Sequence, residues 1–244
     1  MLNKIGFLHY IKLEWLDATV SYYIKLRDLK LVKEKLDKLV SYETQSSEVK
    51  RKTIDVLTRT WIRIPKNQEF VQHNAIEKYQ KVEPSEYIIL HWGMLLMAFP
   101  FFRDICSIIG KLNSLYGEIP TNQLHQRMIE KWGKRTSMIR ATDRVIQSMI
   151  QWKILEKNDS KLLVGKPIKI SKIDTTIWFL EALLRSEQTN SFEYDRLITL
   201  PTIFPFQIDI PFYYIKKSNR FEYSIHGMNV GMLSLRHSML SQST

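Results

Sequence analysis

Taken by the spacing of its apolar residues, the chain divides into helical stretches, a short extended pair in the middle, and a strand-rich end. Leu16, Val20, Tyr23 and Leu26 recur at helical spacing within residues 13–27. Leu31, Leu36, Leu39 and Val40 do so within residues 30–42. Ser46-Ser47 supplies a capping hydroxyl for a third helix, which runs through Val49, Ile54, Val56, Leu57 and Trp61 to a break at Pro65. The longest apolar run, YIILHWGMLLMAFPFF, covers residues 87–102, includes His91, Gly93 and Pro100, and meets Arg103-Asp104 at once. A bilayer crossing needs roughly 20 apolar residues, so this run predicts a helix buried in a protein core and ended by Pro100.

The middle of the chain has a different grammar. Ile105, Ile108, Ile109 and Leu112 mark a helix over residues 102–115 that stops at Tyr116-Gly117, and Glu118-Ile119-Pro120 is a short extended link. Thr121 caps a second helix through Trp132, with Leu124, Met128 and Ile129 inward and Gly133 as its stop. Thr136 or Ser137 caps a third. Ile154-Leu155-Glu156 and Lys161-Leu162-Leu163-Val164 are extended around an Asn158-Asp159 turn. Helix, strand, helix, turn, helix, hairpin is the order of a winged helix-turn-helix.

The third of these helices sorts into two faces. Met138, Ala141, Val145, Ile146, Met149 and Ile150 gather on one side, and Arg140, Arg144, Gln147 and Gln151 form a narrow stripe opposite. Arg and Gln match phosphates and base edges in the major groove, so the stripe reads as the front of a recognition helix, although both residues also serve ordinary surface helices.

Charge sharpens the picture. The chain carries +11, and residues 111–172 hold 13 Lys/Arg against 5 Asp/Glu, a net of +8. That concentration points to a polyanionic partner. Lys131, Lys134, Arg135, Lys157 and Lys161 are the candidate phosphate contacts, with Lys153 and Lys166 also in the wing region. On the earlier helix, Lys50, Arg51, Lys52 and Arg59 form either a second phosphate-contacting surface or a solvated face.

Past residue 172, Ile177, Trp178, Leu180, Leu183 and Leu184 predict a helix over 174–185. Beyond Asn190 the segments 204–211, 212–215 and 221–225 read as two or three strands with a Ser218-Asn219 turn, and Ser241–Thr244 as a frayed end. The expected fold class is mainly α: a helical bundle with a central winged helix-turn-helix and a small C-terminal β-containing segment. Its division is a helical part over 1–100, the winged unit over 101–172, and a C-terminal helix with short strands over 173–244.

Candidate chemistry subtracts more than it adds. One cysteine, Cys106, allows no intramolecular disulfide and sits on an apolar helix face as a small hydrophobe. His9, His73, His91, His125, His226 and His237 form no metal-ligand motif, and no nucleophile elbow or glycine-rich phosphate loop occurs. Asp209 has no Glu-x-Lys after it and Glu222 stands alone, which argues against a nuclease. No cofactor, metal, small-molecule substrate or membrane is expected, and no signal peptide is recognisable at the amino terminus, which fits a cytoplasmic protein.

The segments SSEVKRKTIDVLTRTW, ILHWGMLLMAFPFFRDICSIIGKL and RTSMIRATDRVIQSMIQWKILEKN, in that order, resemble BrxA, the small helical protein of bacterial BREX phage-defence systems. The similarity is a pattern of segments over residues 10–185, and the strand-rich end past Asn190 has no counterpart in it. The resemblance implies a non-catalytic, cytoplasmic DNA-binding accessory of a defence cluster, with Arg140 and Arg144 as DNA contacts and other defence-complex proteins as further partners. Double-stranded DNA is thus the expected partner. The rival class is an adaptor or scaffold that docks another protein. A lesser one is RNA binding, with Tyr213, Tyr214 and Phe221 stacking bases.

Overall fold

The computed structural model describes residues 5–227 and 229–236; His237 and the expected frayed end at Ser241–Thr244 lie outside the described residues. The fold is mainly helical, with a small β-containing C-terminal part. Helices α1 (Leu13–Leu26), α2 (Leu29–Ser41) and α3 (Ser47–Trp61) pack in sequence against one another. α1 ends where Arg27 turns left-handed at φ 52. The Asp28 carboxylate then accepts from the Leu31 N–H at 2.9 Å to open α2, and the Ser46 hydroxyl accepts from the Val49 N–H to open α3.

Helix α4 (Glu69–Tyr79) was not among the expected elements, because only Val71, Ala75, Ile76 and Tyr79 carry its inward face among polar neighbours. Helix α5 (Tyr87–Ala98) is the apolar run, and ten of its twelve residues are buried. Pro100 begins α6 (Pro100–Tyr116), and the chain bends by 116° at this break. Among the described residues no single helix is long and apolar enough to cross a membrane.

The expected winged unit follows as β1 (Ile119–Pro120), α7 (Thr121–Trp132), α8 (Thr136–Gln151), β2 (Leu155–Asn158) and β3 (Lys161–Val164). The strands lie in the antiparallel order β1-β3-β2, with Ile119 opposite Leu162 and Leu155 opposite Val164. Thr121 is no cap: it is the first residue of α7, and its hydroxyl donates to the Ser160 carbonyl at 2.9 Å, tying the helix to the hairpin turn. Neither Thr136 nor Ser137 caps α8, which is preceded by Arg135 without a side-chain capping bond.

Strand β4 (Ile168–Ile170), helix α9 (Ile173–Ser186), strand β5 (Ser191–Glu193), helix α10 (Tyr194–Leu197), strand β6 (Phe206–Ile208), helix α11 (Phe212–Lys216) and strands β7 (Phe221–His226) and β8 (Val230–Leu235) complete the chain. β4 pairs in parallel with β6, and β5-β8-β7 form an antiparallel sheet. Residues 212–215 were expected to be extended but form the single turn of α11, with only Ile215 buried inward. A four-residue apolar run is ambiguous by pattern, and here it forms one helical turn behind Pro211, which is the N-cap residue at φ −59 and ψ 135.

One apolar cluster runs from Ile5 to Leu235 through all three stretches, 1–100, 101–172 and 173–244. Trp92 of α5 sits at their meeting point. Its ring centroid lies 5.1 Å from Phe102, 6.4 Å from Trp152 and 5.5 Å from Phe204, and its indole N–H donates to the Thr202 carbonyl at 3.0 Å. Two glycines permit close approach here. A Cβ on Gly93 would stand 2.7 Å from the Trp178 ring, where α5 crosses α9, and one on Gly110 would stand 2.0 Å from the Pro201 carbonyl oxygen.

Because the Gly110 contact is with backbone, it cannot be relieved by a rotamer change. Gly110→Ala is expected to destabilise the fold by about 1–3 kcal/mol in urea denaturation, despite alanine's better helix propensity. Equal or greater stability in the variant would contradict the close packing of α6 on residues 201–203.

Candidate nucleic-acid interface

The apolar back of α8 is embedded as its periodicity predicts: Met138, Ala141, Val145, Ile146 and Met149 are buried. Two further back-face residues, Thr142 and Ser148, are also buried, and their hydroxyls donate to the Met138 and Arg144 carbonyls. On the front, Arg140, Arg144 and Gln147 are exposed, and an Arg144 guanidinium nitrogen donates to the Gln147 side-chain oxygen at 2.8 Å.

Gln151 leaves this row. It is half-buried, its Oε1 accepts from the Leu13 N–H at 2.9 Å, and its Nε2 donates to Glu14 at 3.0 Å. Gln151 therefore caps the start of α1 and does not face base edges, a correction to the four-residue stripe. The same end of α8 holds the segment before α1 twice more. The Ser148 hydroxyl accepts from the Ile11 N–H at 2.9 Å, and the Trp152 indole just beyond α8 donates to the Ile11 carbonyl at 3.0 Å. The face left open is the amino-terminal half of α8, where Thr136, Ser137, Arg140 and Arg144 are exposed. In helix-turn-helix proteins this is the half that reaches base edges.

The expected phosphate contacts separate into two groups. Lys134 in the turn before α8 and Lys157 in the wing are exposed and form no ion pair with a described residue, and the same holds for Lys153 and Lys166. The others have structural duties. Lys131 pairs with Asp104 at 2.6 Å, and the Trp132 indole donates to the other oxygen of that nearly buried carboxylate at 2.9 Å, which fastens α7 to α6. Arg135 folds back to donate to the Trp132 carbonyl at 2.9 Å, satisfying the end of α7. Lys161 pairs with Glu118 across the β1–β3 edge.

On α3, Lys50 is a strut: it reaches Asp37 at 3.2 Å and the Ser41 hydroxyl at 3.1 Å on α2. Lys52 pairs with Glu48, Arg59 lies over the Phe99 ring at 4.8 Å, and Arg51 alone of this group is fully exposed.

The front of α8 does not stand free. Facing it across a cleft of about 640 Å³ are residues 8–10, the end of α2 and the exposed side of α3. His9 borders the cleft and was unremarkable in sequence, a lone histidine in an apolar stretch. Its burial, followed by the positive charges of Lys52 and Arg144, lowers its pKa from the ordinary 6.5, with Glu48 opposing.

The remaining histidines are used internally. His91 is buried, accepts from the Trp61 indole at 3.0 Å and bonds Asp17 at 2.8 Å, while His125 bonds Asp143 at 2.8 Å. No three His, Cys, Asp or Glu side chains among the described residues come together as a metal site. Cys106 is buried, and burial pushes its thiol pKa well up, as suits a small hydrophobe. Phe221 is a buried strand residue, whereas Tyr213 and Tyr214 are exposed on α11. Compared with known proteins, the chain matches no family model, no curated protein and no solved structure.

Two outcomes follow from this geometry. Gln151→Ala removes two hydrogen bonds at the α1 start and is expected to cost about 1–2 kcal/mol in urea denaturation; an unchanged midpoint would show the amide to be dispensable. Because His9 titrates below 6.5 when folded, the unfolded chain takes up that proton first as pH falls. Stability should therefore decline from about pH 7 towards 5, and His9→Gln should flatten that part of the profile. A steeper decline in the variant would contradict the assignment.

Proposed function

We propose that this protein binds duplex DNA without catalysing a reaction on it, as an accessory component of a bacterial defence system of the BREX kind. The observation that carries the DNA reading is the placement of free cations on one winged unit. Arg140 and Arg144 lie on the open half of α8, Lys134 in the turn before it, and Lys157 on the wing beside it. Three distinct parts of a winged helix-turn-helix thus present unpaired positive charge where such units meet a groove and its flanking phosphates. The defence context rests on the resemblance to BrxA alone.

In this mechanism the amino-terminal half of α8 enters the major groove. Arg140 and Arg144 address base edges, and Gln147 takes part once its bond to Arg144 is exchanged for one to a base. Lys134, Lys153, Lys157 and Lys166 meet phosphates, and four such contacts predict a log–log salt slope of about −3.6. A second reading, protein docking, is favoured by Leu115 and Tyr116, which stand 65% and 57% exposed where α6 runs into β1.

Mobility shifts on duplex DNA at several salt concentrations test the reading. Arg140→Ala/Arg144→Ala is expected to weaken binding by at least about tenfold, since each good base contact is worth roughly 1–3 kcal/mol. Lys134→Ala/Lys157→Ala should flatten the salt slope by about 2. If both folded double variants bind DNA as the parent does, duplex recognition by this surface is wrong and the docking reading stands in its place.

A further inference from the structure

The cleft beside α8 shares Arg140, Arg144 and Gln147 with the proposed duplex contacts, but its recess has no role in that reading. Its volume of about 640 Å³ falls within the roughly 300–1,000 Å³ of small-ligand sites. Leu8, Trp15, Val40 and Val49 give it an apolar lining, and Arg140, Arg144 and Gln147 of α8 form one polar wall. The charges along it are unequally satisfied. Its two carboxylates are already engaged, Glu43 by Lys12 and Asp143 by His125 at 2.8 Å. Neither of its arginines forms an ion pair with a described residue, and Arg144 donates to the neutral Gln147.

Two guanidiniums without an ion-pair partner among the described residues, beside an apolar recess, select a ligand with a matching division. Guanidinium forks bind phosphate oxygens in pairs, and here neither fork is taken up by Asp143, the carboxylate on the same wall, which bonds His125 instead. The apolar lining with Trp15 and the half-exposed ring of Tyr10 suits a flat, weakly hydrated ring more than a bare inorganic anion. The Gln147 amide keeps its NH₂ free for a base edge, because its oxygen is held by Arg144. On the opposite wall the proton affinity of His9 is lowered by burial first and then by the charges of Lys52 and Arg144.

We propose that the cleft between α8 and α3 is a nucleotide-binding site, with the phosphate on Arg140 and Arg144 and the base in the apolar recess. The nucleotide can come from two sources: a free nucleoside phosphate, or an unpaired nucleotide of bound DNA. The second source rests on the duplex-binding reading, and the first does not.

The test uses the full chain in two fluorescence titrations, one with the methylanthraniloyl derivatives of ATP and GTP, the other with a duplex carrying a single unpaired 2-aminopurine. Saturable binding is expected in at least one. It should weaken about tenfold or more in Arg140→Ala/Arg144→Ala and in Val49→Trp, which fills the recess without changing charge. Lys134→Ala/Lys157→Ala should leave the free-nucleotide signal unchanged. Should Val49→Trp fail to fold, as judged by circular dichroism, Thr44→Trp fills the same recess from the loop after α2.

A response to the free nucleotides assigns that source, and a response to the unpaired base alone assigns the DNA-borne one. Absence of saturation in both titrations up to millimolar probe overturns the proposal, as does a signal that the filled-recess variant does not weaken. Duplex affinity, followed in parallel by mobility shift, separates the two ideas: Val49→Trp should retain fully paired DNA while losing the nucleotide.

Discussion

The end of α8 holds the amino-terminal segment, and much of the molecule's organisation follows from that grip. An extended segment entering a packed interior must place its backbone N–H and C=O groups on some partner. Ser148, Gln151 and Trp152 provide it, bonding the backbone of Ile11 and Leu13 from one helical turn. This seats α1, and with it α2 and α3, beside the winged unit. It also converts the front of α8 from a free ridge into one wall of a cleft. The polar end of the helix is spent on the protein itself, and only its beginning faces outward.

The fold redistributes charge as well as shape. The excess of eight positive charges over residues 111–172 is a property of the linear chain. In three dimensions Lys131, Lys169 and Lys172 meet Asp104, Asp209 and Glu86, carboxylates from outside that stretch. These pairs are not equivalent. Lys161 and Glu118 are both partly exposed, and such a pair contributes little and yields readily to a phosphate. Asp104 is only 12% exposed at its side chain, so withdrawing Lys131 would leave a nearly buried carboxylate with the Trp132 indole alone. Lys131 is therefore a worse phosphate ligand than its position in the sequence suggests.

Regular elements with strong periodicity were legible in advance. The apolar helix α5, its break at Pro100, the three helices after it and the hairpin around Asp159 all appear where their residue patterns place them. Elements with few apolar positions, or whose type turns on a neighbour, were not. α4 shows its inward face only once it packs between α9 and α5, and α11 is a four-residue apolar run that reads equally as strand or helix. The parallel pairing of β4 with β6 joins segments more than thirty residues apart, and no local pattern reports it. At the interface, the buried back of α8 could be read from spacing, but Gln151 and Arg144 look alike in a helical projection. What separates them is the presence of Leu13 beside one and a solvent-open cleft beside the other.

By itself the sequence determined which faces of which helices turn inward, because apolar area leaves water at whatever period the backbone imposes. It determined the order of the winged unit and its net charge. Only the tertiary structure decided which polar side chains stay available. A lysine, arginine or glutamine carries the same donors wherever it stands, and whether they meet solvent, a carbonyl or a carboxylate depends on segments distant in the chain. Lys50, Lys131, Arg135 and Gln151 were claimed by such segments, whereas Lys134, Arg140 and Lys157 were not.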